Sequence, residues 1–319
     1  MLVLDADDVT RLLDMPSCIR AVEAAFRARG EGRATPSATL GFPLEGGSLH
    51  VKVASLDLSR AYAVAKVNAN FPRNPVERGL PTIQGALVLF DATNGTPLAV
   101  MDSAPITTLR TAATTAVAAS SLAGPDASTV TFVGCGVQAR AHLAALREVR
   151  DLRRVFAVDV RPDVAEEFCK FAMLDQRVEC QVASSLRVAT RASEIVVTCT
   201  PSNHPILHVD DVSAGTFVAA VGADNEHKQE IDPELLRGSA IVVDDLDQCG
   251  RIGDLHHALA AGIISANDVR ASLDQVIAAS RPGRTAADEI IVFDSTGLAL
   301  EDVAAAGLVF ERATCSPRA

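Results

Sequence analysis

Residues 130–146 read VTFVGCGVQARAHLAAL: an apolar run, two glycines at 134 and 136, a third small residue at Ala139, then a helical pattern. The chemistry this spacing serves is the binding of a dinucleotide. The first glycine permits a tight turn and the second lets the backbone approach a pyrophosphate. The third small residue lets helix and strand pack closely, and the helix N-terminus with Val137 and Gln138 supplies an electropositive end. Asp159 closes the next apolar run, 23 residues after Gly136, where an acid binds a ribose 2′-hydroxyl as NAD requires. Arg161 follows and would instead face a 2′-phosphate, so the cofactor is NAD or NADP. Cys135, inside the loop, reads as a small apolar filler.

Three charged side chains stand in segments that otherwise exclude charge. Arg110 lies in TTLRTAATTAVAASSLA, residues 107–123, which reads as an alanine-rich helix with the arginine in its first turn. A guanidinium beside free backbone N–H groups suits a carboxylate. The alternative is an ion pair with a nearby acid. Lys66, in YAVAKVNANF, alternates with Val64 and Asn68 on one strand face, where a lysine is costly unless paired. Asp224 follows GTFVAAVGA, at the carboxyl end of a strand, where open parallel sheets place their ligands. Its alternative role is a helix cap, a role that Asp232 before Pro233 already fills for the next helix. A carboxylate grip beside a nicotinamide would suit hydride transfer to or from a small anionic substrate.

The elements that must hold these residues divide at about residue 115. The first hundred residues open with helical spacing over residues 8–32, followed by strand-like pieces at 38–44, 47–55, 61–71 and 83–102. DATNGTP inside the last piece marks a hairpin turn. From Thr129 the pattern becomes short Val/Ile runs alternating with helices: TVTFVGC, RVFAVDV, VECQV, EIVVTCT, TFVAAVG, AIVVDD and EIIVFD. Continuous apolar runs predict strands buried on both faces of a parallel sheet. The expectation is an α/β protein with a Rossmann-type doubly wound domain over 116–296. An α+β substrate and dimerisation domain spans 1–115, with an amphipathic C-terminal helix in 297–319 packing back on it.

Composition narrows the partners. A net charge of −11 over 319 residues argues against nucleic acid, which needs a basic face. No apolar run is long enough for a membrane span, and the N-terminus lacks a signal-peptide pattern. Seven scattered cysteines without a CxxC pair suit free thiols in a reducing cytoplasm. The histidines show no metal-ligand spacing.

Together, AKVNANFPRN, GLPTIQGALVLFDATNGTPLAVMD, TTLRTAA, VGCGVQARAHL, VTCTPSNHPIL, VGADNEHKQEID and FDSTGLALEDVAAA make the chain resemble the ornithine cyclodeaminase/mu-crystallin family over nearly its whole length. The resemblance implies a homodimer, with the N-terminal domain at the interface, acting on amino or imino acids with NAD or NADP. It places a substrate-carboxylate or proton-transfer role on Lys66, substrate contact on Arg110 and the catalytic acid on Asp224. Thr82, Thr200, Val221, Ser295 and Thr296 fall at positions near substrate or nicotinamide.

Two departures bear on the substrate. Where many members carry an arginine two residues after a proline, TPSATLG has Ala38, and where relatives often have methionine stands Lys52, sharing a strand face with His50. Lys52 is expected to replace the missing cation or bind a second anionic group, and to disfavour ornithine. The resemblance leaves three functions in view. One is an imine reductase or amino-acid dehydrogenase, toward which Ala38 and Lys52 tilt the reading. The second is a cyclodeaminase that turns ornithine into proline and ammonia. The third is a nicotinamide-bound carrier like mu-crystallin, which lacks the acid that Asp224 supplies here.

Overall fold

The computed structural model describes residues 1–315, apart from the side chain of residue 75. The chain forms two compact units, Met1–Thr114 with the segment from Leu298 onward, and Thr115–Gly297.

The first unit runs β1 (Leu2–Leu4), α1 (Ala6–Leu12), α2 (Met15–Gly30), β2 (Ala38–Leu44), β3 (Gly47–Asp57), β4 (Ala61–Asn70), α3 (Asn74–Arg78), β5 (Ile83–Asp91) and β6 (Pro97–Asp102), then enters α4 (Ser103–Leu122). Its six-stranded sheet has the order β1-β6-β5-β4-β3-β2, antiparallel except for the β1–β6 pair. The single helix expected over 8–32 is two helices. Pro16 has no N–H and its ring would meet the carbonyl of Leu12, so the helix cannot run through. Asp14 restarts it, its carboxylate accepting the Ser17 N–H at 2.9 Å. Three-residue β1 carries too little pattern to be read from sequence.

The helix expected from residue 107 begins at Ser103, because β6 runs directly into it and Asp102 accepts the Ala104 N–H at 2.8 Å. Arg110 is therefore the eighth residue of α4, beyond the four N–H groups a helix start leaves open, and the first-turn placement is corrected.

The second unit runs β7 (Thr129–Val133), α5 (Val137–Arg147), β8 (Arg154–Val158), α6 (Pro162–Leu174), β9 (Glu179–Val182), α7 (Leu186–Arg191), β10 (Ile195–Thr198), β11 (Asn203–Leu207), β12 (Phe217–Ala220), β13 (Gln229–Ile231), α8 (Pro233–Arg237), β14 (Ala240–Val243), α9 (Leu246–Ile252), α10 (Asp254–Ala260), β15 (Val269–Ser272), α11 (Leu273–Ile277) and β16 (Ile291–Asp294). Eight strands form one parallel sheet, β15-β14-β16-β12-β10-β7-β8-β9. The Val/Ile runs of β10, β12 and β16 are buried at every residue, as a sheet covered on both faces demands. This is the Rossmann-type sheet the alternation predicts. β15, whose VRAS has no apolar run, escapes the pattern. Strand order reverses at β7, with β8 on one side and β10 on the other, which makes that edge the topological switch point.

The last helix, α12 (Ala299–Cys315), belongs to the first unit and packs on α2, β3 and β4. The polar face expected of an amphipathic helix is missing from its first half. Every residue from Ala299 to Gly307 is buried, Glu301 and Asp302 included, because lysine and arginine partners meet those acids.

Candidate active site

At the switch point the carboxyl ends of β7, β8 and β10 open into a cavity of about 620 Å³ lined by Gly134, Cys135, Gly136, Asp159, Arg161 and Thr200 among others. Gly134 takes φ +88°, and a Cβ there would lie 2.8 Å from Thr200 Cγ2 and 2.9 Å from the Cys199 carbonyl. Gly136 caps α5 at ordinary φ, and a Cβ there would meet nothing within 4 Å. The room beside it is what a pyrophosphate on the α5 N-terminus requires. Val137 is exposed in the first helical turn, Ala139 is fully buried, and the Oε1 of Gln138 is buried without a hydrogen-bond partner. Asp159 accepts the Cys135 N–H at 2.8 Å and the Arg161 N–H at 2.9 Å, so its carboxylate braces the loop it faces. The orphaned amide, the open space at Gly136 and the placed acid all fit a dinucleotide. Burial pushes the Cys135 thiol up to about 12, so it is protonated filler, not a nucleophile.

Beyond the cleft wall lies a set of acids that sequence reasoning missed. Glu230, fully buried, accepts the Thr200 N–H and hydroxyl at 2.6 and 2.7 Å on one oxygen. Its other oxygen accepts the Thr198 hydroxyl and Gly222 N–H, both at 2.8 Å. Asp254 in turn accepts the backbone N–H groups of Glu230 and Ile231 at 2.8 and 2.9 Å. Burial and the charge of Glu230 raise Asp254 to about 7. The loop from Gly222 to Gln229 carries Asp224 at the surface, where Lys228 Nζ stands 2.7 Å from its carboxylate. Val221 donates its N–H to the Thr198 carbonyl at 3.0 Å. The Ser295 hydroxyl donates to Asp244 at 3.2 Å, and the Thr296 N–H donates to the same carboxylate at 2.7 Å.

In the first unit, α12 packs on the face of β3 and β4 that carries Lys66. Alternation and register place Ser48, His50 and Lys52 of β3 opposite Asn70, Asn68 and Lys66 of β4 on that face. Lys66, 2% exposed, lies 2.6 Å from Asp302 and 3.4 Å from the Thr107 hydroxyl. Arg110, 5% exposed, pairs through Nη1 with Glu301 at 2.7 Å and through Nε with Asp302 at 3.2 Å. Glu301 and Asp302 are thus carboxylate partners of Arg110 in this structure. Burial lowers Lys66 to about 8, against the opposing pull of Asp302. For Asp302 burial pushes upward, but the charges of Lys66 and Arg110 outweigh it and hold the carboxyl below its usual range.

The visible signal for this cluster was LALEDVAAA, two adjacent acids inside an otherwise apolar run. Thr82 sits before β5, its carbonyl accepting the Phe71 N–H at 2.8 Å. Ala38 lies exposed on the edge strand β2. Among the described residues no cluster of three or more potential metal ligands is present.

Against this geometry, three comparisons are informative. The model of the ornithine cyclodeaminase/mu-crystallin family matches residues 1–316. Alanine dehydrogenase of Archaeoglobus fulgidus is 39% identical over 314 residues, 98% of this chain and 95% of that protein. Among solved structures, an archaeal alanine dehydrogenase dimer with bound NAD superposes with a TM-score of 0.94 at 39% identity, covering 98% of this chain and 96% of that one. The Thermococcus litoralis Δ1-pyrroline-2-carboxylate reductase, in complex with NADH and L-proline, gives 0.93 at 30% identity and covers 98% of both.

Proposed function

Because the chain belongs to the ornithine cyclodeaminase/mu-crystallin family, we propose that it is an NAD-dependent oxidoreductase interconverting a small amino acid and its imine. The observation that carries this reading is the switch-point cleft, lined by Gly134 and Gly136 and by the Asp159 carboxylate that holds the Cys135 N–H between them. Gly136, Val137 and Gln138 approach the pyrophosphate, Gly134 makes the turn and Ala139 the close packing that present them, Asp159 takes the ribose hydroxyls, and Thr200, Val221 and Ser295 serve the nicotinamide half. When bound, NAD supplies the hydride acceptor. An acid at the end of β8 favours NAD over NADP, since a 2′-phosphate beside Asp159 is repelled.

The first unit supplies the substrate's anchor. Asp302 and Glu301 keep Lys66 and Arg110 charged in a buried setting, and Lys52 opposes Lys66 across the β3–β4 pair. Like charges directly opposite on neighbouring strands repel, and a substrate carboxylate relieves that repulsion. The same field repels the side-chain ammonium of a diamino acid, which favours a neutral side chain over ornithine. Thr82 belongs to this substrate side. Asp224 takes the proton from the substrate amine, or from water in the hydrolysis of the imine. The protein works in the cytoplasm as a homodimer joined through its N-terminal sheet, and its seven cysteines are all thiols.

The test is a panel of amino and imino acids incubated with protein and cofactor, following ammonia and reduced nicotinamide separately. Matched production of ammonia and NADH, or imine-dependent loss of NADH, supports the oxidoreductase. Ammonia without net change in cofactor makes the protein a cyclodeaminase. Asp224→Asn should bind NADH as the parent does and lose turnover.

A further inference from the structure

We propose that Glu230 is a positioning residue that serves the cleft and the Asp224 loop at once. It turns the Thr200 hydroxyl into a hydrogen-bond acceptor toward the nucleotide, and it clamps Gly222, where the Asp224 loop departs. The inference rests on the function proposed above for Thr200 and Asp224.

The hydrogen-bond bookkeeping supports the first half. Thr200 gives both its N–H and its hydroxyl proton to one oxygen of Glu230, at 2.6 and 2.7 Å, while its Oγ1 accepts the Ser202 N–H at 3.2 Å. A hydroxyl has one proton, so what remains of Thr200 is acceptor capacity. Thr200 lines the cleft after β10, across the switch point from Asp159 after β8. With the adenosine ribose at Asp159 and the pyrophosphate at Gly136, the nicotinamide half falls on the β10 side, and its carboxamide N–H and ribose hydroxyls are donors. An acceptor of fixed polarity suits them.

The second half rests on the other carboxylate oxygen. It accepts the Gly222 N–H at 2.8 Å, and a Cβ on Gly222 would sit 2.5 Å from that same carboxylate. The backbone of Glu230 is itself held by Asp254 at 2.8 Å, so the loop of residues 222–230 is pinned at both ends. The Asp224 N–H donates to the Gly222 carbonyl at 3.2 Å, which sets the first turn of that loop. Burial raises the pKa of Glu230, and the hydrogen bonds from Thr200, Thr198 and Gly222 oppose that rise.

The geometry makes Glu230→Gln an unusually direct probe. Each carboxylate oxygen faces one backbone N–H, so whichever way the amide is turned, its NH2 meets a donor. The experiment measures NADH dissociation constants by calorimetry and amide exchange over residues 222–228, for the parent, Glu230→Gln, Thr200→Val, Thr200→Ser and the Thr200→Val/Glu230→Gln pair. Glu230→Gln should weaken NADH by about tenfold or speed exchange in the loop by about as much, the scale of one lost buried hydrogen bond. Thr200→Val should weaken NADH about as far and Thr200→Ser should restore it, and adding Glu230→Gln to Thr200→Val should cost no further affinity. Parent-like affinity and exchange in Glu230→Gln overturn the proposal, as does full additivity of the pair together with unchanged exchange. If Glu230→Gln does not fold, the serine rescue of Thr200→Val decides the matter, and its failure counts against the role. A parent protein that does not bind NADH overturns the function proposed above, while the exchange comparison still judges the clamp on Gly222.

Discussion

Two glycines two residues apart do different work in the loop after β7. Gly134 holds φ +88° against Thr200 and the Cys199 carbonyl, so Gly134→Ala strains the backbone and collides with it. Gly136 has ordinary dihedrals and open space where a Cβ would go, so Gly136→Ala should fold with an unchanged melting temperature. The added methyl then occupies the approach to the pyrophosphate. NADH affinity should fall by about tenfold or more in both variants, with a lowered melting temperature only in Gly134→Ala. Equal melting temperatures for the two would contradict this division. At this scale the sequence was most legible where chemistry is local, since Gly134, Gly136 and Asp159 follow from spacing alone. Lys66 was legible as a cation in an apolar strand, but its partner lies 236 positions away in sequence, at Asp302, and no pattern announces it.

Lys66 also carries a pH prediction. Burial places its folded pKa at about 8, below the ordinary 10.5, so between those values the unfolded chain binds the extra proton. The contribution of Lys66 to stability therefore rises with pH across that window. Its service to a carboxylate runs the other way, because above pH 8 the folded protein loses the charge. The value of kcat/KM for the amino acid should fall by about tenfold per pH unit above about 8, since it reports the free enzyme. Lys66→Met should be slower throughout and lack this limb, and a parent profile flat to pH 10 would rule the role out.

At the scale of elements, the runs that bury both faces gave β7, β10, β12, β14 and β16 away, whereas β1 and β15 are too short or too polar to read. Boundaries moved where a side-chain cap decided them: Asp14 splits the first helix, and Asp102 starts α4 before residue 107. The burial of α12 is the largest departure, and it follows from the ion pairs that Glu301 and Asp302 make. Taking four charges out of water is costly, and their mutual attraction repays it only while every partner is present. Asp302→Asn leaves Lys66 and one face of Arg110 unmatched, so it should destabilise the protein by about 3–5 kcal/mol in urea unfolding. Lys66→Met combined with Asp302→Leu removes both ends of the closest pair and should recover part of that loss. If Asp302→Asn costs under about 1 kcal/mol, the quartet is not what holds α12 in the core.

At the scale of the whole molecule, the feature that needs an explanation is β2. It is an edge strand, paired only with β3, and all seven of its residues are exposed. Leu40 and Phe42 are 62% and 57% exposed, and Val53, Val67 and Ile83 on the neighbouring strands are exposed as well. A long apolar edge with unpaired backbone groups is a template for association, and soluble chains either blunt it or cover it. Pro43 removes one N–H from that edge, and the homodimer proposed above would cover the rest with a second copy. Strand spacing and alternation made β2 legible as a strand, but its exposure was not legible, because a strand that buries its faces against another copy has the same apolar composition as one buried in its own core. Phe42→Asp places a charge in the middle of that surface. In sedimentation velocity the parent should run as a dimer and Phe42→Asp as a monomer of 33.4 kDa. The cleft is lined by residues between 133 and 206, and the other nucleotide contacts proposed, Val221 and Ser295, lie in the same unit, so the monomer should still bind NADH with parent affinity. A Phe42→Asp protein that stays dimeric would move the interface away from β2.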